Sequence, residues 1–184
     1  MNMSEILSQE QLLREAQAAY RRGDYEAAVQ SFNAARESYL AIGDELNAAE
    51  MANNASVALL QNGKAEEALQ SVIGTAAIFA AAGDHKRQAI ALGNQAAALE
   101  EMKRLDEAEQ LYWQSAEILK NINETDLRLS VMQSISALQL RSGRQLQAVA
   151  TMQSGIDGIE KPTFKQRALK RLLEIPIKMI GDGP

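Results

Sequence analysis

The sequence has no cysteine, only three prolines, all of them from residue 162 onward, and few aromatic side chains. Without cysteine the chain has no disulfide framework, no thiolate metal site and no cysteine nucleophile. Runs of Val, Ile, Thr and aromatic residues with a two-residue period are also missing, whereas Ala, Leu, Gln and Glu dominate. The composition therefore predicts an all-α protein, and 184 residues are enough to bury a core.

Long apolar runs are absent as well. No stretch approaches the roughly 18 consecutive apolar residues that a membrane span needs. The first residues, MNMSEILSQEQ, lack the basic region and the apolar core of a secretory signal. The sequence therefore predicts a cytoplasmic protein without a membrane span.

Charge is distributed unevenly along the chain. From Lys161 onward there are six basic residues against Glu174 and Asp182, a balance of +4, so the total of −5 leaves −9 for residues 1–160. A body with this negative charge repels a phosphate backbone. We therefore expect no nucleic-acid partner.

Helix-ending residues recur with a strict forty-residue period. Gly and Asn tolerate the left-handed conformation that closes a helix, so they are typical C-caps. The residues that share the two phases of this period are Gly23, Gly63, Lys103 and Gly143, and Gly43, Gly83 and Asn123. An Asp or Glu follows several of them, where it suits the positive end of the next helix (Asp24, Asp44, Asp84, Glu124). The pattern predicts a helix hairpin repeated four times.

The size of the side chains follows the same forty-residue period. Small residues that allow two helices to approach closely recur at three positions of the repeat, and a large apolar residue recurs at a fourth. The small sets are Ala28, Ala68, Ala108 and Ala148; Ala35, Thr75, Ser115 and Gly155; and Ala16, Ser56, Ala96 and Ser136. The large set is Phe32, Val72, Tyr112 and Met152. One hairpin cannot bury such a face alone, so the units are expected to stack into a solenoid.

The periodicity predicts eight helices in a four-unit array over residues 1–160. A ninth helix follows Pro162, and we expect residues 161–184 to form a C-terminal capping helix and a short tail. The predicted helices are 5–22, 25–42, 45–62, 65–82, 85–102, 105–121, 125–142, 145–159 and 163–180.

These residues resemble the tetratricopeptide repeat. The resemblance lies in the Gly-Asp-Tyr turn at 23–25 and in the Ala28-x3-Phe32 and Ala108-x3-Tyr112 pairs with a small residue three positions on. It covers about residues 8–158. The common repeat is shorter, at about 34 residues, and usually ends in proline. The forty-residue, proline-free form is similar to the subclass of kinesin light chains and Leu-Gly-Asn-type polarity adaptors, above all over residues 53–68.

The resemblance implies a right-handed α-solenoid whose first helices line a concave groove for a peptide, loop or helix of another protein. In that subclass a groove asparagine, here Asn54 and Asn94, commonly hydrogen-bonds the ligand backbone. These two asparagines would lie about 10 Å apart on neighbouring units. An alternative stays open, because asparagines within first helices also suit hydrogen bonds between helices. The expected groove residues are Arg14, Gln17, Arg21, Asn53, Asn54, Gln61, Asn94, Glu101, Gln133 and Arg141.

Nothing in the sequence indicates catalysis. His85 is the only histidine, and it has no cysteine or convergent partner with metal-ligand spacing. There is no P-loop, nucleophile elbow or dinucleotide fingerprint. We therefore expect no enzyme activity, no metal and no cofactor.

Two functions remain open from the sequence. The first is a scaffold or adaptor that binds another protein in the groove. The second is a homo-oligomeric structural scaffold of weak affinity, in which Ala-rich faces at residues 76–77 and 80–82 pack against a second copy. A light-scattering mass at micromolar concentration separates the two.

The C-terminal segment provides the first test. If residues 163–180 cap the array, a chain ending at Glu160 exposes an apolar face, so we expect a lower melting temperature and aggregation. If the segment is instead a free basic arm, the shortened chain melts at the same temperature and stays monodisperse. The second result would contradict the cap and favour contact with a membrane or an acidic partner.

Overall fold

The computed structural model of the protein describes residues 3–157 and the single positions 159, 163, 167 and 171. Every regular element in these residues is an α-helix, which confirms the predicted all-α class. The helices are α1 (Met3–Arg21), α2 (Tyr25–Ala41), α3 (Glu45–Gln61), α4 (Ala65–Val72), α5 (Thr75–Ala81), α6 (His85–Glu101), α7 (Leu105–Asn121), α8 (Thr125–Arg141) and α9 (Gln145–Asp157). The predicted capping helix 163–180 and the segment 161–184 lie outside the described residues, apart from the single positions.

Helix ends follow the predicted forty-residue period. Positive φ angles occur at all seven predicted positions, including Lys103 (φ 64°) and Asn123 (φ 59°), which are not glycines. Three of the predicted caps also hold, because the Asp24, Asp44 and Asp84 side chains accept from the backbone N–H three residues on. Glu124 precedes α8 but its side chain makes no such bond. Turn and side-chain cap together therefore mark the starts of α2, α3 and α6 in the local sequence.

The predicted single helix 65–82 is wrong, because it is broken into α4 and α5. Ile73 has φ −56° and ψ 131°, and Gly74 has φ +85° and ψ −18°, which together form a type II turn. The second central position of that turn requires positive φ, which glycine adopts at little cost. The Thr75 hydroxyl donates to the Val72 carbonyl at 2.8 Å and so satisfies a group that the break leaves open. The break adds no residue, so the forty-residue phase continues through it.

The core consists of the repeating positions. Ala28, Ala68 and Ala108 are 0% exposed and Ala148 is 1% exposed, as expected for residues where helices cross closely. All members of the other three sets are buried too. A Cβ added to Gly155 in α9 would lie 3.0 Å from the Met132 Cβ in α8, so a larger residue at that crossing would require the neighbouring helix to move by a few tenths of an ångström. The positions that were predicted to recur every forty residues are thus the buried positions of the core.

The chain divides into two compact units, Met1–Leu111 and Tyr112–Pro184, with the boundary inside α7. In the first unit α1 packs on α2, α2 packs on α3, and α3 also contacts α4, α5 and α6. One cluster joins Ala16 of α1, Phe32 of α2 and Met51 of α3. In the second unit α8 packs on α9 through Leu129, Met152 and Ile156.

Lys103 gives a test of the turn geometry. A left-handed backbone conformation costs a non-glycine residue roughly 1–2 kcal/mol. Replacement by glycine removes this strain but also raises the conformational entropy of the unfolded chain, which offsets part of the gain in stability. We expect Lys103→Gly to raise the free energy of unfolding by about 0.5–1 kcal/mol, measured by urea denaturation.

Gly63 is the matched control for this substitution. It has φ +73°, and a Cβ there would meet nothing within 4 Å, so Gly63→Lys introduces backbone strain without a clash. We expect it to lower stability by a similar amount. A loss of stability in Lys103→Gly would contradict the account of these turns.

Candidate binding face

Helix α3 leaves one line of side chains unburied along its middle. Between residues 47 and 60 every residue is buried except Asn47, Glu50, Asn54, Val57 and Leu60. These five are spaced by three or four residues, so they form a single stripe on the helix. The rest of α3 is covered because α2, α4, α5 and α6 all pack on it. The helix is therefore held firmly and presents one narrow surface.

Equivalent positions on α6 and α1 extend this surface within the first unit. On α6, forty residues on from the stripe positions 50, 54, 57 and 60, Ile90 is exposed and Asn94, Ala97 and Glu100 are half-buried. Gln61, next to the stripe, and its counterpart Glu101 are both exposed. On α1, the residues forty positions before Asn54, Val57 and Gln61 are all exposed. We call this set the candidate face: Arg14, Gln17 and Arg21 of α1; Asn54, Val57 and Gln61 of α3; Ile90, Asn94, Ala97 and Glu101 of α6.

Seven of the ten predicted groove residues belong to the candidate face. Arg14 makes an ion pair with Glu10 of its own helix at 3.4 Å. Asn53 is the exception in the first unit, because it is only 5% exposed and lies beneath the surface. Gln133 and Arg141 are exposed on α8, in the second unit.

Asparagines connect α3 and α6. The Asn53 Nδ2 donates to the Ala49 carbonyl one turn earlier at 2.9 Å. The Asn94 Nδ2 donates to the Asn53 Oδ1 at 3.2 Å. Of the two roles open from the sequence, Asn53 and Asn94 therefore make the hydrogen bond between helices. The Asn54 side chain makes no hydrogen bond within the described part of the chain, and it is half-buried on the candidate face.

A second connection between these helices, centred on Arg87, was not predicted from the sequence. The Arg87 Nη1 donates to Glu50 Oε2 at 2.9 Å, and its Nε donates to Asp84 Oδ2 at 2.6 Å. The guanidinium also lies over the Phe79 ring, 5.1 Å from its centroid. The spacing of Asp84 and Arg87 within one turn was visible in the sequence, whereas Glu50 and Phe79 are brought to Arg87 only by tertiary packing.

Hydrogen bonds in this cluster shift two pKa values in opposite directions. The Arg87 backbone N–H and then its side chain bond the Asp84 carboxylate, which lowers the pKa of Asp84 below its usual 3.8. The bond to Asp84 is also the main cause that raises the pKa of Arg87. Both groups are therefore charged at neutral pH and hold the start of α6 against α3.

Another surface feature of the first unit is a cleft of about 800 Å³ beside the start of α4. It shares no residue with the candidate face, and the sequence did not indicate it. Its walls carry charges of both signs and few apolar side chains. The lining residues are Val29, Asn33 and Arg36 of α2, Leu59 and Gly63, and Lys64, Ala65, Glu66, Glu67, Gln70 and Ser71.

Residues suited to catalysis do not converge in the described part of the chain. His85 is exposed, and its Nδ1 lies 3.2 Å from the Gln88 side-chain oxygen. Among residues 3–157 and the four single positions, no group of His, Asp and Glu could hold a metal ion. No helix in the same residues is long and apolar enough to cross a membrane.

Comparison with known proteins adds no family assignment. No protein-family model matches the chain, and no curated protein matches it either. The candidate face must therefore be interpreted from its own chemistry.

Asp84→Asn tests the Arg87 cluster, because asparagine caps a helix as well as aspartate does but carries no charge. We expect a loss of about 0.2–1 kcal/mol at pH 7, the range of partly exposed ion pairs. Because folding lowers the pKa of Asp84, its charge stabilises the fold above 3.8, and this contribution disappears as the pH falls through the lowered value. The difference in free energy of unfolding between variant and parent, measured by urea denaturation, should therefore become smaller as the pH falls.

Asp24→Asn is the control for this effect. Asp24 caps α2 in the same way, but the third residue after it is Ala27 rather than an arginine. We expect almost no loss at pH 7. Equal losses in both variants would show that the Asp84 charge acts without Arg87.

Proposed function

We propose that this protein is a tetratricopeptide-type interaction adaptor that binds an extended peptide segment of another protein on the candidate face. In this proposal the helices form four hairpins of a right-handed solenoid, similar to the kinesin light chain subclass. One observation carries the functional part: α3 is packed by four other helices yet leaves a single stripe with an unbonded amide, Asn54.

The repeating core supports the solenoid. Four sets of positions recur every forty residues, and every member of these sets is buried. Left-handed turns recur with the same period. A helix hairpin with two packed surfaces needs a neighbour on each side, which is the physical basis of stacked repeats.

The chemistry of the candidate face supports a peptide ligand. Val57, Ile90 and Ala97 provide apolar contact, and Ile90 is 39% exposed. The Asn54 amide can both donate to a carbonyl and accept from an N–H, the two groups that every peptide unit offers. A face held by packed helices loses little conformational entropy when a ligand binds.

Spacing between the helices also suits an extended chain. Packed helices lie about 8–10 Å apart, and an extended peptide covers that distance in about three residues. One peptide could therefore contact α3 and α6 together, with apolar side chains over Val57 and Ile90.

The homo-oligomeric scaffold is less well supported. Ala77, Ala81 and Ala82 are exposed, but Ala76 and Ala80 are half-buried, and α5 has only seven residues. A stable interface usually buries about 800 Å² on each partner, which so few methyl groups cannot supply. Self-association therefore needs further surface beyond these alanines.

Asn54→Ala tests the proposed site with peptides selected from a phage-displayed random library on the immobilised protein. Two hydrogen bonds to a peptide unit contribute about 1–3 kcal/mol, so we expect calorimetry to show affinity reduced by about 5- to 150-fold. Stability should be kept or raised, because alanine is the better helix former and Asn54 bonds nothing in the described chain.

Asn33→Ala is the matched control, since Asn33 is exposed in the middle of α2 and lines the cleft instead. It should leave peptide affinity unchanged. If Asn33→Ala weakens binding and Asn54→Ala does not, the ligand binds in the cleft and the proposed site is wrong.

A further inference from the structure

A second cavity extends the cleft beside α4 along the first unit. Its volume is about 300 Å³, and Arg36 of α2 lines both spaces, as do Gln70 and Ser71 of α4. Helices α2 and α4 both pack on α3, and residues of α3 form the floor between them. From Val29 to Leu40 of α2 the two spaces extend over about 16 Å, at the rise of an α-helix. We call this continuous depression the α2–α4 groove.

The second cavity has an apolar interior. Its floor consists of Ala48, Ala49 and Ala52 of α3, which are almost completely buried. Leu40 of α2 and Ile73 at the end of α4 also line it, and these large side chains are 42% and 53% exposed. A small floor with large apolar residues beside it leaves space for an apolar group of a ligand. The cavity suits one large side chain, because its volume is at the lower end of that of ligand pockets.

Arg36 provides the charge in the middle of the groove. It is half-buried, and its guanidinium makes no hydrogen bond or ion pair with the residues that the structure describes. Lys64 in the cleft is already paired with Glu67, with 3.6 Å between the Nζ and Oε1 atoms. Glu66 lines the cleft and Glu45 lines the second cavity, so carboxylates lie on either side of Arg36 along the groove. The order of charge is therefore negative, positive, negative.

A carboxylate is the ligand group that best fits Arg36. The guanidinium offers five N–H donors in one plane, and a carboxylate accepts two of them at once. Basic residues towards the two ends of the same ligand would then face Glu66 and Glu45. The groove therefore selects a ligand with a central acidic residue rather than a wholly basic or wholly apolar one.

We propose that the α2–α4 groove binds an amphipathic helix of another protein, which places a carboxylate on Arg36 and a large apolar side chain in the second cavity. Arg36 and Leu40 are one turn apart on α2, so groups one turn apart on a helix that lies along the groove reach both places. A gap between two helices above a third also receives the side chains of a further helix. The groove shares no residue with the candidate face, so it is a second interaction surface, independent of the proposed function.

Helical peptides test this site. A phage-displayed library of alanine-based helices of about four turns, varied among Ala, Leu, Trp, Glu and Lys, is selected on the immobilised protein. We expect the selected helices to carry a glutamate one turn from a leucine or tryptophan. Arg36→Gln should weaken them by about 5- to 13-fold in calorimetry, between an exposed ion pair and a charged hydrogen bond. Glutamine in place of the peptide's glutamate should weaken binding to the parent protein equally, and binding to Arg36→Gln no further.

Ile73→Ser tests the second cavity, because it removes a large apolar side chain from its edge. We expect a loss of about 5-fold in affinity. The matched controls lie on the candidate face: Ile90→Ser removes an isoleucine and Arg14→Gln removes an arginine, and both should leave the affinity for the helices unchanged. Thermal melting of each variant checks the fold. Arg36→Lys keeps the charge and should recover part of the affinity that Arg36→Gln loses.

The proposal is overturned if the library yields no ligand, or if its ligands bind Arg36→Gln as tightly as the parent protein. Alanine scanning of a ligand should show sensitive positions every three or four residues, and sensitivity at every second residue would indicate an extended peptide instead. A dimer mass in light scattering that falls to a monomer in Arg36→Gln would assign the groove to a second copy of the chain and contradict a separate partner. Asn54→Ala should leave the helices bound, so failure of this inference is distinct from failure of the proposed function.

Discussion

Close approach of helices at small side chains is the constraint on which the rest of this structure depends. Ala28, Ala68, Ala108 and Ala148 are almost completely buried, and a methyl group at Gly155 would lie within tight contact of Met132. Where backbones come so near each other, register is fixed, because a shift by one residue would place a larger side chain in the crossing. The forty-residue phase is therefore a packing requirement, and the turns and caps between helices have to keep it.

Polar contacts add direction to this apolar packing. Ala49 of α3 and Ala91 of α6 belong to one buried cluster, and the Asn53–Asn94 bond and the Glu50–Arg87–Asp84 cluster join the two helices at separate points. Buried amides and charges are costly unless they are paired, so these contacts favour one arrangement over others of similar apolar burial. Both kinds of contact act on the same helix pair, so together they fix the position of α3, and of its stripe, relative to α6.

Local chemistry explains which features could be predicted from the sequence. Lys103 was placed in a left-handed turn from its phase alone, and three aspartate caps followed from their positions. The sequence pattern did not show that the helix breaks at Gly74 but continues through Gly93, which lies inside α6. Both are single glycines in a helical pattern, and the difference lies in the Ile73–Gly74 turn and the bond from the Thr75 hydroxyl. The Arg87 cluster was missed because Glu50 and Phe79 reach Arg87 only through tertiary packing.

Seven of the ten predicted groove residues lie on the candidate face, but the sequence pattern did not separate the asparagine amides that are bonded inside the protein from the one that is not. Asn53 and Asn54 are adjacent, identical in chemistry and separated by about 100° around the helix. That rotation puts one amide against Ala49 and Asn94 and leaves the other at the surface. A periodic pattern can rank positions by face, but it cannot tell which amide has its hydrogen bonds satisfied inside the protein. The proposed function depends on this distinction, because an amide that is hydrogen-bonded inside the protein holds its neighbours in place, whereas an amide without a partner is available to a ligand. The two adjacent asparagines differ in this way because α3 is held by the helices that pack on it.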